Sequence, residues 1–375
     1  MDKHLHIICL DISYPADFGG MYDLFYKLPA LQKAGVKIHL HCWKKDRKEQ
    51  PGLNKYCEEV FYYSRNTFYK GLNRTLPYIV ASRSSNELTE RLLRDDYPIL
   101  MEGVHCTHPV WDKRFKSRQK IVRLHNVEQH YYNYLFSSSS NIFKKIYYKR
   151  EASLLKEYER QLVQKANAFW AVTPADAAFY RNELHAENVS FLPLFLPGWK
   201  VNAQPGMGTF CLYHGNLGVD ENEYTAIWLL KNVFTECEIP FVIAGKNPSH
   251  KLEKLAHKRL HTCLVANPSE EQMQDMIAKA HLNILPSFSC SGIKLKLINA
   301  LYNGRHCIVN ESMLAGTNFA PLCHVANTPE AMKERIAQIF HQPFIEDEVQ
   351  LRRHVLEKEF DNDINAQKIV EWIWG

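Results

Sequence analysis

One local pattern, repeated along the chain, most limits what it can fold into. A short apolar run is followed by a loop of small or polar residues, and then by a segment with the apolar period of a helix. Residues 5–10, LHIICL, are a strand candidate. SYPADFGG follows as a loop, MYDLFYKLPALQKAG as a helix ending at Gly35, and VKIHLHCW at 36–43 as the next strand. Such a unit is the crossover that joins parallel strands, so the pattern predicts parallel sheets flanked by helices. Further strands are expected at 59–63, 98–103, 121–126 and 168–173. A long charged helix is expected over 141–165, and another opens at Pro174.

FLPLFLPGWKVNAQPGMG at 191–208 breaks the pattern with prolines and glycines. The same grammar then restarts, with strands expected at 209–216, 240–246, 262–268 and 281–287. Ser269 and Gln272 form a capping-box pair at the start of a helix. A chain of 375 residues is long for one core. The expected organisation is therefore a Rossmann-like domain over 1–195, a linker over 196–208 and a second Rossmann-like domain over 209–360. A C-terminal helix over 361–375 is expected to pack back on the first domain, because its tryptophans, Trp372 and Trp374, need a surface. The fold class is α/β, with two parallel-sheet domains facing a cleft.

Composition excludes some classes. Hydrophobic residues make up 46% and charged residues 23%, as in a globular protein. No apolar run reaches the roughly 18 residues of a membrane span, and the N-terminus reads as a first strand and not as a signal peptide. Ten cysteines without a C-x-x-C pair are expected to be reduced, buried thiols, which points to the cytoplasm. Charge is uneven. Residues 1–200 hold 30 Lys/Arg against 21 Asp/Glu, whereas residues 201–375 hold 16 against 20. The basic half suits an anionic partner such as a membrane surface, or is simply a solvated face. Runs such as FKKIYYKRE have helical spacing, which favours a membrane-proximal face or plain packing over nucleic acid.

Ligands of parallel α/β sheets sit at the carboxyl ends of strands, in the loops before the helices. The richest such loop lies in SFSCSGIKLKLINALYNGRHCIVN at 287–310. Small residues there admit a ligand to the backbone, and Lys294 and Lys296 stand at a helix N-terminus, a natural seat for a diphosphate. An ordinary helix start with two solvated lysines is the plain alternative. His125, Asn126 and Glu128 share a loop, with Glu128 equally suited to capping the next helix. Glu102 ends another strand, where its carboxylate suits sugar hydroxyls or an ion pair. His214, Gly215, Asn216, Glu221 and Asn222 surround the first loop of the second half, and Asp17 reads as a turn residue. His105 and His108 lack a third ligand for a metal.

These motifs, in this order, resemble the retaining GT-B glycosyltransferases of the large group 1 class, family 4. The resemblance covers most of the chain and rests on four segments: FGGMYDLFYKLPALQKAGVKIHLHCW; VRLHNVEQHYY with YYKREASLLKEYERQL and AFWAVTPADAAFY; YHGNLGVDENEYTAIWLL; and FVIAGK with NPSEEQMQDMIAKAHLNILPSFSCSGIKLKLINALYNGRHCIVN. It implies transfer of a hexose from a UDP- or GDP-linked donor to a saccharide or lipid-linked acceptor, with retention, in surface polysaccharide synthesis. No metal and no cofactor are implied, since cationic side chains and backbone N–H groups replace the metal at the diphosphate. The resemblance places His125 beside the reacting sugar as the catalytic residue. It assigns substrate contacts to Gly19, Gly20, Glu102, Asn126, Glu128, His214, Gly215, Asn216, Asn222, Lys246, Ser291, Gly292, Ile293, Lys294, Lys296 and Asn299. It further implies a cytoplasmic enzyme, peripheral at the inner membrane surface. One departure stands out: the family's two glutamates, eight residues apart, are replaced here by Ser291 and Asn299. The amide of Asn299 can still meet a ribose hydroxyl, but the charge-assisted contact is lost. That departure motivates the alternative of an inactive GT-B-like scaffold subunit partnering an active transferase. A nucleotide-sugar epimerase is less well supported, for want of an acid/base carboxylate pair.

Overall fold

A computed structural model of the chain describes residues 2–16, 19–44, 46–67, 71–139, 141–235, 238–288, 292 and 294–375. Two compact units emerge. The first comprises residues 1–198, 291–293 and 360–375, and the second residues 199–290 and 294–359.

The first unit holds a parallel sheet of β1 (Lys3–Cys9), β2 (Val36–Lys44), β3 (Glu59–Ser64), β4 (Ile99–Glu102), β5 (Lys120–Leu124), β6 (Ala168–Ala171) and β7 (Val189–Phe191). Its order is β3-β2-β1-β4-β5-β6-β7. Strand side chains alternate between faces, and the core divides accordingly. Ile8, Met101, Val122 and Phe169 pack on one side. Ile7, Leu100, Ile121 and Trp170 pack on the other, beneath helices Gly19–Lys33 and Asn362–Trp374. The C-terminal helix buries Ala366, Ile369 and Val370 in this second layer. The Trp372 ring lies tilted at 5.4 Å from that of Trp170, and Trp374 is half-buried against the same cluster.

The second unit repeats the topology. Its parallel strands are β8 (Cys211–Asn216), β9 (Phe241–Lys246), β10 (Thr262–Ala266), β11 (Leu282–Ile284), β12 (His306–Val309) and β13 (His324–Val325), in the order β10-β9-β8-β11-β12-β13. Each sheet therefore reverses direction between its first and fourth strands, β1/β4 and β8/β11. That switch point leaves a crevice at the strands' carboxyl ends.

Two strands escape the sequence pattern. β7 has three residues and opens the segment read above as a break at 191–208, while β13 has two, too few for periodicity to register. The strand expected over 281–287 is confined to Leu282–Ile284, because Pro286 cannot donate to a ladder. The charged helix runs over Ile142–Leu162, and the Ser269–Gln272 capping box is formed.

A close approach fixes the carboxyl end of the second sheet. A Cβ placed on Gly245 would lie 1.9 Å from the carbonyl oxygen of Gly215 on β8 and 2.8 Å from Leu217. Backbone cannot yield as a flexible side chain does, so overpacking here is expected to cost about 1–3 kcal/mol or more. Gly245→Ala is therefore expected to lower the urea midpoint. A midpoint equal to that of the natural chain would show that the two strands are not held this tightly.

Candidate functional site

In the first unit, the switch point is built on an ion chain with no solvent contact. Asp23 and Lys27 stand one turn apart on helix Gly19–Lys33, and their side chains meet at 3.0 Å. Lys27 Nζ also reaches Glu102 Oε1, at the end of β4, at 2.6 Å. Arg123, on β5, grips Asp23 with two nitrogens at 3.0 and 2.9 Å and donates to the carbonyls of Leu192 and Pro193 at 2.5 and 2.9 Å. The backbone N–H of Phe195 donates to Asp23 at 2.9 Å. Asp23, Lys27, Glu102 and Arg123 are all fully buried. Despite the desolvation, the neighbouring cations and the guanidinium fork hold Asp23 well below the usual carboxylate range. Lys27 and the His125 hydrogen bond hold Glu102 low as well. The oxygens of Asp23 and Glu102 with a His125 nitrogen form a cluster of metal-ligand type, but the Lys27 ammonium already bridges the two carboxylates.

His125 stands just beyond β5, half-buried, with Nε2 3.0 Å from Glu102 Oε2. An ionised carboxylate only accepts, so Nε2 is the donor to Glu102 and Nδ1 is left for another partner. Asn126 is half-buried beside it. Gly292, part of this unit, has φ +65°, and a Cβ there would fall 2.2 Å from Asn126 Oδ1. Only glycine suits both that conformation and that gap.

Glu128 lies in the interior and not on this surface. Its backbone N–H is capped by Glu159 Oε1 at 3.1 Å, and Glu159 also accepts from the Gln129 N–H and the Tyr180 hydroxyl. Burial, with Glu159 close by, pushes Glu128 up to about 8, and burial pushes Glu159 up to about 7 against its three donors. His105, half-buried 3.9 Å from Glu128, is driven well below the ordinary histidine value by desolvation, with Arg83 adding to the effect. Gly19 and Gly20 are the first two residues of helix Gly19–Lys33, whereas Asp17 lies outside the described residues.

In the second unit, β8 ends in His214, Gly215 and Asn216. Asn222 folds back from helix Asp220–Asn232: its amide donates to the Asn216 carbonyl at 3.0 Å, and its oxygen accepts from Lys296 Nζ at 2.6 Å. Lys296 also lies 3.3 Å from the Tyr213 hydroxyl and 5.1 Å from that ring's centre. Desolvation, aided by Lys294, lowers the Lys296 ammonium to about 8. His214 is buried, its Nε2 has no hydrogen-bond partner among the described residues, and desolvation takes its pKa down to about 3, so the ring is neutral. Glu221 accepts from the Ser287 hydroxyl at 2.9 Å, which ties the β8 loop to the β11 loop.

The two helix starts here differ in charge. Asp220, Glu221 and Glu223 fill the first turn after β8 and oppose an anion there. The first turn of Leu295–Asn303 carries no acidic residue, and its N-cap is Lys294. Lys246 is exposed at the end of β9. Asn299 accepts from the Asn303 amide at 2.8 Å. Ser291 and Ile293 lie outside the described residues.

No established family profile matches the chain. An uncharacterized 44.6 kDa protein in the cps region of Klebsiella pneumoniae is 25% identical over 345 residues, covering 86% of this chain and 87% of that one. A glycosyltransferase from Rickettsia africae superposes with a TM-score of 0.68 at 11% identity, covering 100% of this chain and 98% of its own. TarM of S. aureus, solved with UDP among its ligands, gives 0.67 at 10% over the whole of both chains. Anabaena HepE, solved with UDP and glucose, gives 0.66 at 9% over 98% of each. The fold is that of the GT-B glycosyltransferases. Among the described candidates, Glu102, His125, His214, Gly215, Asn216 and Lys246 lie at the carboxyl ends of strands in two Rossmann-like sheets, where ligands of α/β folds bind, whereas Glu128 is interior.

Sequence reasoning passed over Asp23, Lys27, Arg123, Tyr213 and Glu159. A signal existed: Arg123 interrupts the apolar run IVRL, and Asp23 and Lys27 sit next to Leu24 and Leu28 on the buried side of a helix. A charge on a buried stripe must find a partner.

Glu128 generates a pH test. Its folded pKa, about 8, lies above its unfolded value. The folded chain therefore keeps a proton that the unfolded chain has released above about pH 4.3. Stability falls as pH rises across that window and is lost through the folded pKa. Glu128→Gln, which stays neutral, is expected to melt higher than the natural chain near pH 8 and to show a shallower decline from about pH 5 upward. Glu159 has the same sign and keeps part of the slope in both. Parallel melting curves for the two proteins across pH would refute the buried neutral carboxyl.

Proposed function

We propose that this chain is a retaining glycosyltransferase. It moves a hexose from a nucleotide-diphosphate sugar, UDP-linked in our reading, to a saccharide or lipid-linked acceptor in surface polysaccharide synthesis. The observation that carries this reading is His125, at the carboxyl end of β5, backed by a buried Glu102 whose charge Lys27 already balances. A ring in that position, with Nε2 committed to Glu102, offers Nδ1 to a sugar hydroxyl and can stabilise the positive charge that develops as the glycosidic bond breaks. Lys296 and Lys294, at a helix start without acidic residues, supply the charge that a diphosphate needs, so no metal and no cofactor is invoked. Anabaena HepE in complex with UDP-glucose and the Klebsiella protein in the cps region support the choice of donor and pathway. Asn299, already accepting from Asn303, favours a second reading: a GT-B-like scaffold whose ribose contact has been lost.

Radiolabelled UDP-glucose and GDP-mannose, offered with a panel of lipid-linked and free saccharides, separate the two. The enzyme is expected to move label to an acceptor. His125→Ala is expected to cut turnover by about 10²-fold or more while nucleotide-induced thermal shifts persist. Label that stays on the nucleotide throughout, with no thermal shift from any nucleotide, would favour the scaffold.

In this reading the enzyme is cytoplasmic and touches the inner membrane surface through its basic half. Among the described residues no helix is long and apolar enough to cross a membrane. The start of helix Ile142–Leu162 instead displays Phe143 at 79% exposure, with Ile142 and Ile146, beside Lys144, Lys145 and Lys149. Apolar side chains ringed by lysines suit an anionic lipid surface. Phe143→Asp combined with Lys145→Glu is expected to abolish co-sedimentation with vesicles rich in phosphatidylglycerol. Equal sedimentation of the altered and natural chains would remove this face from consideration.

A further inference from the structure

A second cluster of ligating side chains lies in the second unit, away from the carboxyl-end loops. His306 is the first residue of β12 and His324 the first of β13, so both stand at the amino ends of neighbouring strands. Glu348 comes from the first turn of helix Glu346–Arg352. His306 Nδ1 is 3.2 Å from His324 Nε2 and 3.4 Å from Glu348 Oε1, and all three ligand atoms lie within 4.8 Å of one another.

The protons explain why this arrangement calls for a cation. His306 Nε2 is 3.2 Å from the carbonyl oxygen of Gln342, which can only accept, so Nε2 carries the hydrogen. Nδ1, the remaining ring nitrogen, then faces a carboxylate oxygen and a second imidazole. Glu348 cannot easily turn away, because its Oε2 accepts from the Ile345 N–H at 3.0 Å. Two facing acceptors with His306 only 4% exposed repel unless a positive centre lies between them.

Neighbouring cations do not fill that role. Arg352 spends its guanidinium on the carbonyls of Leu301, Gly304 and Arg305, and Arg335 contacts Gln338 at 3.0 Å. His281 turns its Nε2 to the Ile339 and Gln342 carbonyls.

We propose that His306 Nδ1, His324 Nε2 and Glu348 Oε1 bind one zinc ion, with water in the fourth position. Zinc–ligand bonds of about 2.0–2.2 Å in a tetrahedron set ligand atoms roughly 3.3 Å apart, close to the two separations given above. The Gln342 carbonyl on His306 Nε2 is the outer-shell partner that fixes the tautomer of a ligating imidazole. The Glu348 side chain is 34% exposed, which leaves a route for the ion and a face for the water. Because the cluster joins β12, β13 and helix Glu346–Arg352 at the amino ends of the strands, the ion acts as a staple and takes no part in sugar transfer.

The tag-free full chain, stripped with a chelator, loaded with zinc and desalted, tests this by metal analysis. The natural chain is expected to retain one zinc per molecule and to melt higher with the ion than without. Cobalt in its place should give the intense visible bands of a four-coordinate site. His324→Ala and Glu348→Gln should each lose the stoichiometric metal and the metal-induced shift, and Glu348→Gln keeps an oxygen for the Ile345 cap should the other variant fold poorly. A natural chain that leaves desalting without zinc overturns the proposal, and would mean that a proton on His306 is the missing cation. Retention of a full equivalent by either variant overturns it equally.

Discussion

The first unit depends on a row of alternating charges taken wholly out of water. Arg123, Asp23, Lys27 and Glu102 follow one another at hydrogen-bond distance, and His125 closes the row at the surface. Each ion loses several kcal/mol of hydration on burial, and the row offsets this only because every charge has an opposite neighbour and its remaining valences meet backbone. Breaking such a pair by deleting one partner typically costs about 3–5 kcal/mol. Helix Gly19–Lys33, β4, β5 and the segment ending in Phe195 each contribute a member, so their mutual placement is not adjustable piece by piece. The position of His125 is inherited from that rigidity.

This explains which parts of the chain could be read from its sequence. Strands such as LHIICL and FVIAGK, and the charged helix over Ile142–Leu162, announce themselves because local apolar period and burial agree. β7 and β13 do not, since three and two residues have no period and pair only because neighbouring strands offer an edge. The site was half legible for a similar reason. His125 and Glu102 stood out as polar ends of apolar runs, whereas Arg123, Asp23 and Lys27 looked like interruptions until the fold brought residues 100 positions apart into contact. The metal-type cluster in the second unit was equally silent, because its three members lie on separate elements, with no short spacing to betray them.

The second unit shows how identical geometry can carry opposite electrostatics. Helices Asp220–Asn232 and Leu295–Asn303 both follow strands at the β8/β11 switch point, and both present N–H groups of positive partial charge. Asp220, Glu221 and Glu223 cancel that charge in the first, and Glu221 is further occupied with Ser287. In the second, Lys294 and Lys296 add to it. An anion approaching this sheet is therefore directed to one helix start of the two. Asn222, held by both the Asn216 carbonyl and Lys296, transmits the position of the first loop to the second.

The two site histidines complete this division of labour. His214 is neutral because burial forbids its charge, and its Nε2 has no partner among the described residues. His125 faces a carboxylate, yet that carboxylate is already neutralised by Lys27, so the ring need not be charged to hold Glu102 in place. What Glu102 fixes instead is the tautomer: with the proton committed to Nε2, Nδ1 is left as an acceptor for a hydroxyl hydrogen or as the atom that takes up a proton. The Lys27 ammonium, by taking over the charge balance of Glu102, lets that carboxylate fix the orientation of His125 from behind.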